Sequence, residues 1–330
     1  MYNRLKLIFC LGVVIGLPSV SLATQQAGDF LNIGIGARPM GMGGAFGAVA
    51  DDAFAAFWNP AGISLLDGKE IGLMYASLFG LVGSHVLSVV YPLNERAAVA
   101  VSWVRVSADN IPRYDPFPRD AQRIEERLSF AMKGAKGYFS DREDALFFTF
   151  SKVGAFDLDF GWQYFILPLK VPFGVNLKLI HQSLGGASAN GIGIDAGFML
   201  RFGANILFGH DSLGDVSIGL VVSDITNTTI VWETRHHDVI PYTVRFSIAY
   251  FQPLRSWNDY LCVSLEKEGD ETIKAGLEYW FDSRVALRGG VNREGPGAGV
   301  GVVFGPFEVD YAFVAQDLGA VHRVSAKMDF

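Results

Sequence analysis

Across residues 274–330 apolar and polar side chains alternate with few exceptions, and this period of two constrains the chain more than any other feature. Leu277, Tyr279 and Phe281 oppose Lys274, Gly276 and Glu278, and Val285, Leu287 and Val291 oppose Arg284, Arg288 and Asn292. Val300, Val302 and Phe304 then alternate with Gly299 and Gly301. Phe307, Val309, Tyr311 and Phe313 alternate with Glu308 and Asp310, and Val324, Ala326, Met328 and Phe330 with Arg323, Ser325, Lys327 and Asp329. Strands of this kind have one oily face and one charged or small face. A soluble sandwich alternates too, but its strands commonly run about five or six residues. These segments run roughly nine to ten, the length of a tilted strand that crosses a membrane.

Composition closes the other routes. Half of the 330 residues are hydrophobic, 18% are charged and the mean hydropathy is +0.26, whereas soluble domains carry charge on about a quarter of their residues. Past residue 24 no run of about 20 apolar residues exists to make a membrane helix. The best candidate, residues 147–169, is interrupted by Lys152, Asp157 and Asp159. A helical membrane protein and a disordered chain are both excluded. The predicted fold is all-β, a transmembrane antiparallel barrel.

Residues 1–23 read as a secretory signal peptide. Arg4 and Lys6 precede the apolar run 7–17, and Ser21 and Ala23 place small residues before the cut. The run is too short to span a bilayer core of about 30 Å. Cys10 is lost with it, so Cys262 has no disulfide partner in the mature chain. Loss of Arg4 and Lys6 takes the 27 cations to 25 against 34 carboxylates, a net charge of −9. Such a chain has no electrostatic reason to bind nucleic acid. A terminal aromatic, Phe330, on an alternating last strand of an exported chain matches the signal read by outer-membrane barrel insertion machinery, so that machinery and outer-membrane lipid are expected partners and the cell outer membrane the expected location.

Counting back from Phe330 gives strands near 321–330, 307–315, 297–305, 284–292, 272–281, 259–268, 243–252, 215–226, 191–202, 172–184, 157–167, 96–107, 82–93 and 70–79. That is about 14 strands, an even number that puts both ends of the barrel, residues 67–330, on the periplasmic side. The turns at 94–95, 282–283 and 306 then fall on the periplasmic side, and 108–156 and 227–242 fall outside. Segment 108–156, with Pro112, Pro116, Pro118 and the strand-like piece 145–152, reads as an external insert; counted as two more strands it would give sixteen. Residues 24–66 do not alternate and cannot lie in the wall, so the lumen is their place as an N-terminal plug. Their Ala-rich stretch 45–57 predicts a short helix with Asp51 and Asp52 midway, ended by Asn59-Pro60.

The motif Gly34-Ile-Gly36-Ala-Arg38-Pro39-Met40-Gly41-Met42-Gly43-Gly44-Ala45-Phe46, the pair Asp51-Asp52 and the run Trp58-Asn59-Pro60-Ala61-Gly62 resemble the N-terminal signature of the PorV/PorQ family of outer-membrane proteins, within the FadL-like, long-chain fatty-acid transporter barrels. Residues 174–178, 193–197, 278–280, 288–290 and 310–313 resemble later signatures of that family, so the likeness covers nearly all of the mature chain. The resemblance implies a fourteen-strand barrel with a plugged lumen. It also implies one of two roles: service in secretion or assembly at the outer membrane, with secreted proteins or secretion-system components as partners, or uptake of hydrophobic ligands such as fatty acids. The plug residues it marks are Arg38, Gly41, Gly43, Gly44, Asp51, Asp52, Trp58, Asn59 and Pro60.

No catalytic residue stands out. The chain has six His and no Gly-x-Ser-x-Gly elbow, so it reads as non-enzymatic. His236-His237-Asp238 reads as a solvated loop, because adjacent residues seldom converge on a metal without further ligands. The glycine clusters lack a phosphate-binding pattern, and no cofactor is implied. Lys178, Asp195, Arg245, Glu278, Arg288, Asp310 and Arg323 fall on the non-lipid face by parity, with Arg201, Lys274, Glu308, Lys327 and Asp329. An Arg or Lys facing lipid at the midplane costs roughly 2–4 kcal/mol, so these charges point inward, to fill the lumen and hold the plug.

Overall fold

The computed structural model describes residues 28–114, 124, 125, 128, 134–159, 161, 166–254, 258–269, 272–316 and 318–330. The signal-peptide segment 1–23, the first plug residues 24–27 and most of 115–133 lie outside the described residues. What is described is nearly all strand: β1 (Glu70–Leu78), β2 (Val82–Asn94), β3 (Ala97–Arg113), β4 (Gly137–Asp159), β5 (Ile166–Leu184), β6 (Ala187–Gly203), β7 (Asp215–Ser223), β8 (Thr228–Trp232), β9 (His237–Ile240), β10 (Thr243–Leu254), β11 (Asp259–Glu268), β12 (Thr272–Phe281), β13 (Val285–Asn292), β14 (Gly295–Phe304), β15 (Phe307–Gln316) and β16 (Gly319–Asp329). No helix among these residues is long and apolar enough to cross a membrane.

Every pairing is antiparallel. β1 pairs with both β2 and β16, and β5–β6 and β6–β7 complete the ring, so fourteen strands close on themselves. Closure matters because an open edge in hydrocarbon would leave backbone groups unpaired. The remaining two strands, β8 and β9, form a short hairpin on the upper edge of β6. Both barrel ends meet at one rim, where Glu70 faces Asp329; we call it the lower rim. The turns at 95–96, 282–284 and 305–306 lie there as well.

Two expectations are corrected. The fourth wall strand is not 157–167 but β4, whose crossing part is the piece 145–152 that had been assigned to an external insert. There Ala145, Phe147, Thr149 and Ser151 face inward, while Leu146, Phe148 and Phe150 face outward. Segment 108–156 is therefore mostly a continuation of β3 and β4, paired out to Arg113 and Gly137. The stretch 45–57 is also not one helix. Only the four-residue α2 (Ala55–Trp58) is helical there, after the five-residue α1 (Ala37–Gly41) and a run of turns. The alanines at 48, 50, 53, 55 and 56 are fully buried, and their small size lets the plug approach the wall.

Register shows where the apolar belt ends. Leu73, Leu87, Trp103, Leu146, Leu179 and Ile192 form one outward row across β1–β6. One step higher, the outward row is Tyr75, His85, Arg105, Asp144, His181 and Asn190. Arg105 pairs with Asp144 at 2.8 Å, and Trp103 donates Nε1–H to the same carboxylate at 2.9 Å. A Trp below and a polar row above mark the upper interface of the belt.

Inside, the wall is thinned by glycine at several of its contacts with the plug. Gly290 of β13 lies against the backbone of Met42 and Gly43, Gly276 of β12 against Met42, Gly174 of β5 against Pro60, and Gly197 of β6 against Asn59; a Cβ at any of these would overlap plug atoms. Gly289, the neighbour of Gly290, has nothing within 4 Å of such a Cβ. Overpacking commonly costs about 1–3 kcal/mol, so Gly290→Ala should lower stability to thermal unfolding in detergent by that amount. Gly289→Ala should stay within about 0.5 kcal/mol of the parent. Equal behaviour of the two variants would show that the plug is not seated backbone against backbone.

Candidate functional site

The plug is held by a closed circuit of buried charges. Arg38, on α1, donates Nε–H and Nη2–H to the two oxygens of Glu278 at 2.8 and 2.9 Å, a bidentate pair. Its Nη1 reaches Asp51 at 2.7 Å and Asp52 at 3.4 Å. Glu278 also accepts from Arg288 Nε at 2.6 Å, and Arg288 continues to Asp310 at 2.5 Å and Glu308 at 3.4 Å. Lys327 closes the ring, lying 2.9 Å from Glu308 and 3.4 Å from Asp52. Local sequence makes this possible. Glu278 faces Arg288, and Glu308 faces Lys327, as direct cross-strand partners. Arg288 reaches Asp310 across the intervening β14 because Gly301 leaves the space open. Burial acts to lower the pKa of Arg38, but Glu278 and Asp51 outweigh it and hold it well above the usual value.

Two further groups fix the other side of the plug. Lys178 lies 2.8 Å from Asp195 and 2.7 Å from Asp224, while Asn176 donates to the Ala56 carbonyl at 2.8 Å. Arg245 donates to the Trp58 carbonyl at 2.9 Å, and Glu266 accepts the Gly47 N–H at 2.8 Å. Lys274 bridges Glu266 and Glu268 at 3.4 and 2.6 Å. Trp58 donates to the Ile35 carbonyl at 2.8 Å and Asn59 to the Gly47 carbonyl at 2.8 Å. Arg323, 1% exposed, has no carboxylate partner among the described residues and donates to the Ile33 carbonyl at 2.6 Å.

Of the residues singled out in the sequence, Arg38, Asp51, Asp52, Glu278, Arg288 and Asp310 meet in one site. Lys178 and Asp195 meet in a second, and Arg245 belongs to a third. Gly41 packs on Gly299, Gly43 on Val291 and Gly44 on the Trp58 ring, and Pro60 starts a 3₁₀ turn against Gly174. Phe330 stands at the lower rim, outside the lumen, its N–H bonded to the Lys69 carbonyl at 3.0 Å. Glu266 and Glu70 carry no mark in the sequence beyond the inward parity of their strands, and Asn176 lies within the family-like stretch 174–178. Asp224 follows β7 in a positive-φ turn, where parity says nothing.

Above the plug the lumen changes character. Met74, Val86, Val104, Phe147 and Ile180, on the inner face of β1–β5, pack with Phe30 and Ile35 of the plug in one buried apolar cluster. Beside it lies a cavity of about 410 Å³. Leu31, Ile35, Phe57, Phe147 and Ile240 belong to both, with the Phe57 and Phe147 rings edge to face at 4.8 Å. The other side of the cavity is charged and includes Lys178, Arg245 and Lys274. Apolar walls with a few placed polar groups are the usual make-up of a small-molecule site.

No protein-family model matches the sequence, and no curated protein does. Solved structures match the fold. The TodX deltaS2S3 mutant, a monoaromatic hydrocarbon channel, aligns with a TM-score of 0.51 at 14% identity over 90% of this chain and 99% of that one. The TodX deltaS2 mutant gives 0.51 at 13% identity with the same coverage. The Ralstonia pickettii toluene transporter TbuX gives 0.47 at 13% over 90% and 98%. The chain thus shares with these channels a closed, fourteen-strand antiparallel β-barrel, and at these identities the likeness is one of fold.

Removing one partner of a buried pair costs about 3–5 kcal/mol. Arg38→Met should therefore loosen the plug by that order, read as faster protease cleavage within residues 28–66 and earlier unfolding in detergent. Asp51, whose side chain is 29% exposed, should matter less, with Asp51→Ala costing under about 1 kcal/mol. Unchanged protease resistance in Arg38→Met would remove the charge circuit as the plug's anchor.

Proposed function

We propose that this chain is an outer-membrane channel that takes up hydrophobic small molecules, with residues 28–66 as the plug a solute must pass. One observation carries the reading: the apolar cluster and cavity above the plug, which an aqueous pore has no use for. The outward apolar belt and the signal-peptide-like sequence of residues 1–23 support the outer membrane as its location. The TodX relatives named above are hydrocarbon channels, which agrees with this reading although they share only the fold. Phe330 at the lower rim suits the role of insertion signal.

A second reading follows from the PorV/PorQ resemblance, namely a component of secretion or assembly that binds proteins at its rim. The height of β3 and β4 favours it, since Tyr138 and Tyr114 stand clear of the belt at 69% and 52% exposure. One experiment separates the two. The protein is purified from native membranes, and both its extracted small molecules and its co-purifying proteins are identified by mass spectrometry. A specific hydrophobic molecule without stoichiometric protein partners is expected. Phe147→Gln, which puts an amide into the apolar wall, should reduce recovery of that molecule about tenfold, equivalent to about 1.4 kcal/mol. Stoichiometric protein partners with no ligand would overturn the channel reading in favour of the secretion one.

A further inference from the structure

The cavity above the plug has an apolar side and a charged side, and the state of its charges says what kind of molecule fits. Every lining cation is already engaged. Lys178 is paired with Asp195 and Asp224. Lys274 is paired with Glu266 and Glu268, and Arg245 is spent on the Trp58 carbonyl and Glu266. Arg293 at the margin also has a partner. The lining cations Lys178, Arg245, Lys274 and Arg293 are matched by the carboxylates Asp195, Asp224, Glu268 and Glu294, and Glu266 behind them tips the balance to negative. Arg323, which has no carboxylate partner among the described residues, is 1% exposed and holds the Ile33 carbonyl rather than lining the cavity.

An anion entering here would meet no free cation, and it would sit beside carboxylates that already own the ammonium groups. A spare N–H could reach it, but the carboxylates of those pairs would repel its charge and leave its desolvation uncompensated. A neutral oxygen has no such difficulty. An ammonium carries three N–H donors, and the ion pairs of Lys178 and of Lys274 each use two. One donor on each remains for a hydroxyl or carbonyl oxygen, with both pairs intact. The rest of such a molecule would lie against Leu31, Phe57 and Phe147.

We infer that the ligand of this cavity is an uncharged amphiphile, an apolar chain or ring ending in a hydroxyl or carbonyl, and not the carboxylate of a fatty acid. This rests on the hydrophobic-channel reading and narrows it. The test is calorimetric titration of the protein in lipid nanodiscs with octan-1-ol and with octanoate at pH 8, where a carboxyl of pKa about 4 to 5 is ionised; empty nanodiscs give the background for partition into lipid. Octanol should bind at least about tenfold more tightly than octanoate, the discrimination set by charges left unpaired in the wrong complex. Glu268→Gln, at the exposed end of its strand, removes one carboxylate from Lys274. It should raise octanoate affinity about tenfold relative to that of octanol. Octanoate binding as tightly as octanol to the parent protein, or no gain for octanoate in Glu268→Gln, overturns the inference about ligand class alone. Binding of neither molecule overturns the channel reading itself, and this inference with it.

Discussion

A barrel wall with hydrocarbon outside has one place for its polar side chains, the lumen, and a filled lumen offers them little water. Most of what holds this structure together follows from that inversion. The side chains turned inward must find partners, and the plug supplies them in an unusual form, as bare backbone. Residues 28–66 form only short helical turns, which pair part of their backbone internally and leave other N–H and C=O groups open. The wall provides partners for these. Glu70 accepts from Ala53, Glu266 from Gly47 and Ser325 from Ala37. Ser88, Ser151 and Ser264 donate to the carbonyls of Ala53, Ala61 and Ala45. The inner wall thus completes the hydrogen bonding that the plug's short helical turns leave open.

The charge circuit through Arg38 adds specificity to this socket. Serines and glycines would accept several placements of a small-residue chain. A guanidinium pinned bidentately to Glu278 and touching Asp51 and Asp52 accepts one. Buried ionic groups often contribute little net stability but are costly when broken. Here that asymmetry favours a plug that is seated correctly over one that is merely inserted.

The wall was legible in the sequence wherever one face met lipid and the other met polar atoms, because the period of two survives any detail of packing. It failed at β4, where the inward residues Ala145 and Phe147 are as apolar as the outward Leu146 and Phe148, so the alternation disappears. That loss has a physical cause: this is the part of the wall that faces the apolar cluster. The inward set of charges was legible by the same parity, but its pairing was not. Arg288 reaching Asp310 over β14 depends on Gly301, a contact between strands that no local pattern encodes. The plug was misread for a different reason. Ala48, Ala50, Ala53, Ala55 and Ala56 look like helix formers, yet what selects alanine there is the space left by the wall and not its helical propensity.

The failure at β4 and the charge circuit together describe a lumen divided by strand. On β12–β16 the inner face is ionic and grips the plug through side chains that cannot be moved cheaply. On β1–β5 the upper inner face is Met74, Val86, Val104, Phe147 and Ile180, held to the plug by contacts with Phe30 and Ile35 that have no direction. Apolar contacts can be exchanged for those of another apolar molecule at little cost, since burial depends on area and not on geometry. Ion pairs in a dry lumen cannot. The segregation therefore gives one side of the plug a fixed attachment and the other a replaceable one, and the cavity lies between them, with Phe147 on one side and Lys274 and Glu294 on the other.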